Sequence, residues 1–191
     1  MKAILIHQFG GPEVLRLENV PEPVVAAGEV LVRVHAVGVS PIDLETRAGR
    51  GVAGSLNGFP VILGWNLSGE IQTLGAGIAR FKVGDQVYGL PRFPEPSKTY
   101  AQYAVAPESS LAFKPRNLTH LEAAAVPLAG LTALQALEIM SLRAGQTILI
   151  DASDSGVGHL AVQLAGTRGA WVVGAASSLN RSEERRVGKV C

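Results

Sequence analysis

The sequence has almost no cysteine. Its 191 residues include only one, Cys191. A single thiol excludes an internal disulfide framework and any zinc site built from several cysteines. A reducing compartment is the simplest environment for such a chain, so we expect a cytoplasmic location.

Excess charge of one sign and long apolar runs are absent too. The net charge is +1 and charged residues make up 17%, so no overall field attracts nucleic acid or anionic lipid. The first apolar run is broken at His7, too early for a secretion signal, and no stretch approaches membrane-spanning length. We therefore expect no nucleic-acid partner and no membrane. The hydrophobic fraction of 47% is typical of a folded globular protein.

The first part of the chain, up to about residue 118, has the pattern of short strands. Residues 29–39 alternate in character, with Val30, Val32, Val34 and Ala36 on one face, as in a half-buried strand. Similar segments lie at 68–75, 85–90 and 100–107, separated by glycine and proline. This pattern predicts a strongly bent, mostly antiparallel β domain.

Helical patterns begin at Thr119. It precedes Glu122 by three residues, the spacing of a helix capping box. A second helix is predicted over 132–145, with Arg143 in its last turn. A strand at 147–150, a helix at 158–169 and a strand at 170–177 follow. This order predicts a βαβ unit with parallel strands.

The turn before the helix at 158–169 is a candidate phosphate site. A helix N-terminus presents unpaired amides, and glycines let a pyrophosphate approach the backbone. The candidate cofactor-binding residues of the turn are Ser153, Ser155, Gly156, Val157 and Gly158. Only the last glycine of the dinucleotide fingerprint is kept, at Gly158, with serines at the other two places. A βα turn without a ligand is the alternative.

The end of the second parallel strand bears on the choice of cofactor. NAD-binding units usually carry an acid there, which holds the ribose 2′-hydroxyl. This chain has Ser177 and Ser178 at that place. Because no carboxylate repels a 2′-phosphate, we predict NADPH as the cofactor.

Five segments carry a family resemblance. In order, they are VRVHAVGVSPIDLETRAG, FPVILGWNLSGEIQTLGAGIARFKVGDQVYG, TYAQYAVAP, AAAVPLAGLTALQAL and GVGHLAVQLAGTRGA. Together they resemble the medium-chain dehydrogenase/reductase superfamily, and within it the zinc-less quinone oxidoreductase branch. The resemblance implies an α/β chain with a β-rich part: a GroES-like β-barrel catalytic domain over 1–118 and an incomplete Rossmann domain over 119–180. Hydride transfer is expected in the cleft between them.

The same resemblance implies that no metal is bound. Zinc-using relatives have a cysteine and a histidine at the positions of Ser40 and Trp65, and neither serine nor tryptophan is a competent zinc ligand. The four histidines are isolated in the sequence, and we expect structural or solvent-exposed roles for them: His7, His35, His120 and His159. Alcohol oxidation assisted by a Lewis acid is therefore not expected.

The resemblance assigns Ser40, Asp43 and Trp65 as candidate catalytic residues. Ser40 stands where relatives often have an asparagine beside the substrate carbonyl, and Asp43 matches the family's acid in this loop. Glu45 replaces a tyrosine that relatives often have. Trp65, a large ring where relatives have a polar ligand, is expected to line the substrate pocket. The alternatives are a turn residue for Ser40, a turn or cap residue for Asp43, and core packing for Trp65. Thr132 matches a threonine near the nicotinamide carboxamide, with a helix-start residue as its alternative.

These assignments imply an NADPH-dependent, zinc-independent oxidoreductase. Its partner is expected to be a small-molecule electron acceptor, a quinone or an α,β-unsaturated carbonyl compound. The full-length protein is expected to form a homodimer. The alternative is a catalytically silent, nucleotide-binding or adaptor member of the same superfamily, and Ser153, Ser155 and Glu45 keep it open.

The end of the chain departs from the family. A doubly wound dinucleotide domain has about six strands, and the pattern here supplies about two of them. Residues 181–191 resemble the translation of a common sequencing adapter, so we expect an artefactual tail after a truncation near Asn180. Such a chain exposes apolar strand faces and binds cofactor poorly, which makes the parent protein the enzyme. A genuine charged C-terminal helix is the alternative.

Overall fold

The computed structural model describes residues 1–176. The predicted roles of Ser177 and Ser178 and of the tail at 181–191 lie outside the described residues. The chain divides into two compact units, Met1–Leu128 and Ala129 onward. The fold class is α/β with a β-rich first part, as predicted.

The first unit contains eight strands, three short 3-10 helices (Pro12–Val14, Ala53–Ser55 and Glu108–Ser110) and two α-helices, and it ends with the start of a third α-helix. The strands are β1 (Lys2–Ile6), β2 (Arg16–Asn19), β3 (Glu29–Ala36), β4 (Val61–Ile62), β5 (Leu67–Leu74), β6 (Gln86–Gly89), β7 (Tyr103–Pro107) and β8 (Leu111–Phe113). The helices are α1 (Pro41–Arg47), α2 (His120–Ala125) and the beginning of α3 (Pro127–Ile139).

A five-stranded antiparallel sheet forms the centre of this unit, with the strand order β7-β3-β5-β6-β8. The predicted alternation of β3 is present over most of the strand, because Val30, Val32 and Ala36 are buried whereas Arg33 and His35 are exposed. Leu31, on the same face as Arg33, is buried as well. Strand β7 begins later than predicted. The reason is that Tyr100 and Ala101 pair with β1 and Leu63, while Gln102 bonds to both Lys2 on β1 and Val34 on β3.

The central sheet has its own cluster of buried hydrophobic side chains, including Val30, Leu67 and Val87. A smaller antiparallel sheet, with the order β2-β1-β4, borders a second hydrophobic cluster. Four buried side chains form this cluster: Ile6, Val14, Leu63 and Trp65. Trp65 is the largest fully buried side chain of the described chain. It immediately precedes Asn66 and β5, so the cluster anchors the segment that enters the central sheet.

Helix α2 belongs to the first unit. Its predicted capping box is present, with Thr119 Oγ1 accepting from the Glu122 N–H and Glu122 accepting from the Thr119 N–H. The helix packs against β3, β5 and β6. This packing places α2 in the first compact unit, which ends at Leu128. The domain boundary at 118 stays a prediction.

The second unit contains the rest of α3, followed by β9 (Thr147–Ile150), α4 (Gly158–Thr167) and β10 (Trp171–Gly174). The two strands are parallel neighbours, with Trp171 opposite Thr147 and Gly174 opposite Ile150. The predicted βαβ unit is therefore confirmed. The core of the second unit also includes side chains of α3, and its buried residues are Ala133, Leu137, Ile148, Ile150, Ala161 and Ala165.

Helix α3 ends earlier than predicted. It stops at Ile139, so Arg143 does not lie in its last turn. Ser141 adopts a left-handed conformation with φ of 51°. The Ser141 and Leu142 N–H groups donate to the Glu138 and Leu137 carbonyls, which is the Schellman pattern with serine where glycine is usual.

Part of the βαβ unit is exposed. Leu149 on β9 is 69% exposed and Val173 on β10 is 54% exposed, as expected for parallel strands with a face that no element within residues 1–176 covers. None of the described helices has the length and apolar character needed to cross a membrane.

Candidate active site

Ser40 lies at the start of α1, in the loop that leaves β3. Its backbone is extended, and Pro41 follows as the first helical residue, where the missing N–H and fixed φ of proline suit a helix start. The Ser40 N–H donates a hydrogen bond of 2.8 Å to Oδ2 of Asp43. The sequence therefore sets a rigid helix start that holds a half-buried serine hydroxyl in place.

Asp43 is almost completely buried, with 3% of its surface exposed. Its Oδ1 accepts a hydrogen bond of 2.9 Å from the Tyr100 hydroxyl, while Oδ2 accepts the bond from Ser40. Burial raises the pKa of Asp43, and these two hydrogen bonds oppose the rise. Burial and the neighbouring carboxylate also raise the pKa of Tyr100, which keeps its hydroxyl protonated as a donor. With both oxygens engaged, Asp43 has the contacts of a cap, the alternative that the sequence left open.

Asn66 is a site residue that the sequence analysis missed. Its side-chain Nδ2 donates to Ser40 Oγ over 3.1 Å, and its Oδ1 accepts from the Leu128 N–H over 2.8 Å. Asn66 is 1% exposed. The one available signal was that Asn66 directly follows Trp65, which stands where zinc-using relatives have a histidine ligand.

Trp65 lies in the second hydrophobic cluster with none of its surface exposed. Its indole N–H donates to the Pro94 carbonyl over 3.2 Å, and its ring meets Phe93 edge to face. These contacts are those of core packing, the alternative to a place on a pocket wall. Ser40 and Asp43 are brought together by the structure, whereas Trp65 is turned into the core.

Glu45 forms an exposed ion pair with Arg50 through both carboxylate oxygens. The hydrogen bond from Arg50 lowers the pKa of Glu45. The side chain that replaces the family's tyrosine is therefore an acceptor, paired with a guanidinium. It has no proton to give at neutral pH.

A cavity of about 590 Å³ lies beside α1. Its wall is mainly apolar, and Asp43, Tyr100 and Thr99 are among its polar residues. Thr99 Oγ1 is buried and has no hydrogen-bond partner. Ser40 is not part of the wall. An apolar molecule in this cavity would therefore meet the Asp43–Tyr100 pair and not the Ser40 hydroxyl.

The predicted phosphate turn follows β9. Gly158 is buried, and a Cβ there would lie 2.1 Å from the Ala152 carbonyl oxygen, so only glycine fits. A Cβ added to Gly156 would instead have no other atom within 4 Å. Among residues 1–176, no acceptor is bound to the Gly156 or Val157 N–H. The turn therefore leaves a glycine-lined opening with two donors that suit a diphosphate.

The two serines of the turn bind within the protein. Ser153 Oγ donates to the Ala175 carbonyl over 3.0 Å, which ties the turn to the end of β10. Ser155 Oγ accepts from the Gly158 N–H over 3.0 Å. Asp154, between them, is exposed, and its negative charge opposes a phosphate. The other predicted cofactor residue, Thr132, lies on α3 and is exposed.

Two histidines that are distant in sequence form a stacked pair. The rings of His35 and His120 have centroids 4.5 Å apart and are 13° from parallel. His120 Nδ1 lies 2.8 Å from Ser68 Oγ, which donates to the Val87 carbonyl. Burial and the neighbouring His35 and Lys114 lower the pKa of His120. Within residues 1–176, no three His, Cys, Asp or Glu side chains are arranged to hold a metal ion.

Comparisons with known proteins agree with this architecture. Residues 26–116 match the alcohol dehydrogenase GroES-like domain family. The quinone oxidoreductase of Sus scrofa is 34% identical over 180 residues, covering 93% of this chain and 53% of that protein. The chloroplastic NADPH-dependent alkenal/one oxidoreductase of Arabidopsis thaliana is 33% identical over 190 residues, covering 96% of this chain and 49% of that protein.

A solved structure extends the comparison to the fold. The quinone oxidoreductase of Coxiella burnetii is 42% identical and superposes with a TM-score of 0.90, covering 98% of this chain and 60% of that one. The chain spans about half the length of the curated relatives that it matches. It belongs to the medium-chain dehydrogenase/reductase superfamily, in the branch of the quinone oxidoreductases.

Proposed function

We propose that the whole protein is an NADPH-dependent, zinc-independent oxidoreductase that transfers a hydride to a quinone or an α,β-unsaturated carbonyl compound. Its proposed partner is this small-molecule acceptor, and its proposed location is the cytoplasm. The observation that carries the proposal is the chemistry of Ser40 and Trp65, which stand where the family resemblance places zinc ligands. A hydroxyl and an indole do not ligate zinc, and the Trp65 N–H is already bonded to Pro94.

Ser40 suits the reduction of a carbonyl-bearing acceptor. When bound, NADPH supplies a hydride, which carries two electrons to the acceptor and leaves NADP⁺. Negative charge then develops on the acceptor's carbonyl oxygen, and a proton from water completes the reduction. A hydrogen bond from the Ser40 hydroxyl to that oxygen stabilises the developing charge. We assign Asp43 and Tyr100 to holding the start of α1, because their hydrogen bonds are made to each other and to Ser40.

The turn after β9 fits the diphosphate of the cofactor. The N–H groups of Gly156 and Val157 are the donors that we assign to it, while Gly158 lets α4 begin close to β9. The similarity to the NADPH-dependent oxidoreductase of Arabidopsis supports NADPH as the cofactor. Contacts from Thr132 to the nicotinamide carboxamide and from Ser177 and Ser178 to the 2′-phosphate remain predictions.

The test is an acceptor-dependent oxidation assay with the whole protein. We expect NADPH to be oxidised with 1,4-naphthoquinone or an alkenal, NADH to react more slowly, and simple alcohols not to be oxidised. Ser40→Ala should lower kcat/KM for the acceptor and leave the KM for NADPH unchanged. Ser109→Ala is the matched control, because Ser109 is an exposed serine in the short 3-10 helix Glu108–Ser110, far from Ser40 in the sequence. NADPH binding without turnover of any acceptor would instead favour the catalytically silent alternative.

A further inference from the structure

The orientation of the Asn66 side-chain amide is fixed by a backbone group. The Leu128 N–H donates to Asn66 Oδ1 over 2.8 Å. A backbone N–H can only donate, so the oxygen of the amide must face Leu128 and the nitrogen must face the other way. Because Asn66 is buried, reversing the amide would place its NH2 group against the Leu128 N–H. Neither donor would then have an acceptor, and water could not supply one.

The fixed amide determines the role of the Ser40 hydroxyl. Asn66 Nδ2 lies 3.1 Å from Ser40 Oγ and 3.5 Å from the Gly38 carbonyl oxygen. An amide nitrogen has only donors, so Ser40 Oγ accepts from Asn66. The hydroxyl hydrogen of Ser40 therefore points elsewhere, and no acceptor for it is present among the described residues.

We propose that Asn66 is a positioning residue that makes Ser40 an obligatory hydrogen-bond donor toward the carbonyl oxygen of the acceptor. This inference rests on the proposed function. Asn66 touches neither cofactor nor acceptor and acts only through Ser40. It selects acceptors that present a lone pair to Ser40 and accumulate negative charge there, as quinones and enones do during reduction.

Asn66→Asp is the decisive substitution, because it exchanges a donor for an acceptor at nearly constant volume. The carboxylate keeps the bond from Leu128 and takes the Ser40 hydroxyl hydrogen for itself. We expect kcat/KM for the acceptor to fall about 10- to 100-fold, as when one oxyanion donor is removed, and the KM for NADPH to stay unchanged. Asn117→Asp, at an exposed position, is the matched control and should have no effect.

Two readouts separate positioning from a merely structural role. Burial raises the pKa of the introduced carboxyl group, and its protonated form can donate to Ser40 again. Activity of Asn66→Asp should therefore recover as the pH falls, relative to wild type. In a double-mutant cycle, Asn66→Asp should cause little further loss once Ser40→Ala is present. A pH-independent loss, or a loss that is fully additive with Ser40→Ala, overturns the inference while leaving the proposed function intact.

A measurement independent of activity covers the case in which Asn66→Asp does not fold. In the ¹⁵N-labelled whole protein, Ser40→Ala should shift one proton of the Asn66 side-chain amide upfield, because its acceptor is lost. Unchanged Asn66 amide resonances in Ser40→Ala overturn the inference. A wild-type protein that reduces no quinone or enone overturns the proposed function, and this inference with it.

Discussion

Tyr100 donates its hydroxyl hydrogen to Oδ1 of Asp43 over 2.9 Å, and it does so across 57 residues of sequence. The bond joins α1 to the segment that runs along β1. Because Ser40 binds the other carboxylate oxygen, the pair fixes the loop that presents the candidate site. The stability of this loop should therefore depend on the charge of Asp43.

Tyr100→Phe should destabilise the protein more at neutral pH than in acid. The pKa of Asp43 in the folded protein lies above its ordinary value of 3.8. The stability contributed by protonated Asp43 is therefore complete below pH 3.8 and is lost as the pH rises through the raised pKa. Removing the Tyr100 bond raises that pKa further. We expect a loss of about 1–3 kcal/mol at neutral pH, measured by urea unfolding across pH.

Tyr103→Phe is the control for this experiment. Its hydroxyl makes no hydrogen bond within the described residues, so its removal should change the free energy of unfolding little at any pH. Equal losses for the two variants, or a Tyr100→Phe loss that is larger in acid, would contradict the account of Asp43.

Two glycines of the βα turn should respond differently to alanine. Gly158→Ala places a Cβ 2.1 Å from the Ala152 carbonyl oxygen and should cost about 1–3 kcal/mol of stability. Gly156→Ala meets open space, so the protein should remain folded. It should raise the Kd for NADPH about tenfold, or about 1.4 kcal/mol, because the methyl group occupies the proposed phosphate space.

Calorimetry and a cofactor fluorescence titration of the whole protein measure these two effects. Gly166→Ala, in the exposed part of α4 with no atom near its Cβ, should raise stability by up to about 1 kcal/mol and leave NADPH binding unchanged. If Gly156→Ala bound NADPH as tightly as wild type, the turn would not be the diphosphate site.

Asp154→Asn should tighten NADPH binding. The exposed carboxylate lies within the turn that we assign to the diphosphate, and exposed charges interact by about 0.2–1 kcal/mol. The Kd should fall by a factor of about 1.4 to 5, and the gain should shrink at high salt because the charges are screened. Glu22→Gln, an exposed acid in the first unit, should change nothing. A weaker affinity for Asp154→Asn would show that this carboxylate supports the turn.

His35→Gln should raise the pKa of His120. Burial lowers that pKa first and the stacked His35 lowers it further. A His whose folded pKa lies below 6.5 costs stability as the pH falls below that value, so His35→Gln should reduce the acid-side loss. An NMR titration of the imidazole of His120 measures the shift, with His7→Gln as the control. An unchanged His120 titration would mean that the stack has no electrostatic effect.

The elements that the sequence predicted well are those with local signals. The alternation from Val30 to Ala36 and the capping box at Thr119 each act over a few residues, and the structure contains both. The prediction of the end of α3 was wrong because Ser141 adopts the left-handed conformation that usually requires glycine. No pattern within the helix itself marked that residue as a terminator.

The candidate site was harder to predict because its contacts are remote in sequence. Ser40 and Asp43 were found through a motif, but the Asn66–Ser40 bond spans 26 residues and the Tyr100–Asp43 bond spans 57. Trp65 stands where zinc-using relatives have a metal ligand. From the sequence, a position on the wall of the substrate pocket was therefore as reasonable for its side chain as a position in the core. Only the packing of Ile6, Val14 and Leu63 around it shows the core contacts.

Metal dependence tests the central claim most directly. The whole protein is incubated with a strong zinc chelator, its metal content is determined, and NADPH oxidation with 1,4-naphthoquinone is measured before and after. The account predicts the same rate in both samples and no stoichiometric zinc, because Ser40 and Trp65 offer no ligands. A rate that is lost with the chelator and restored by added zinc would contradict it.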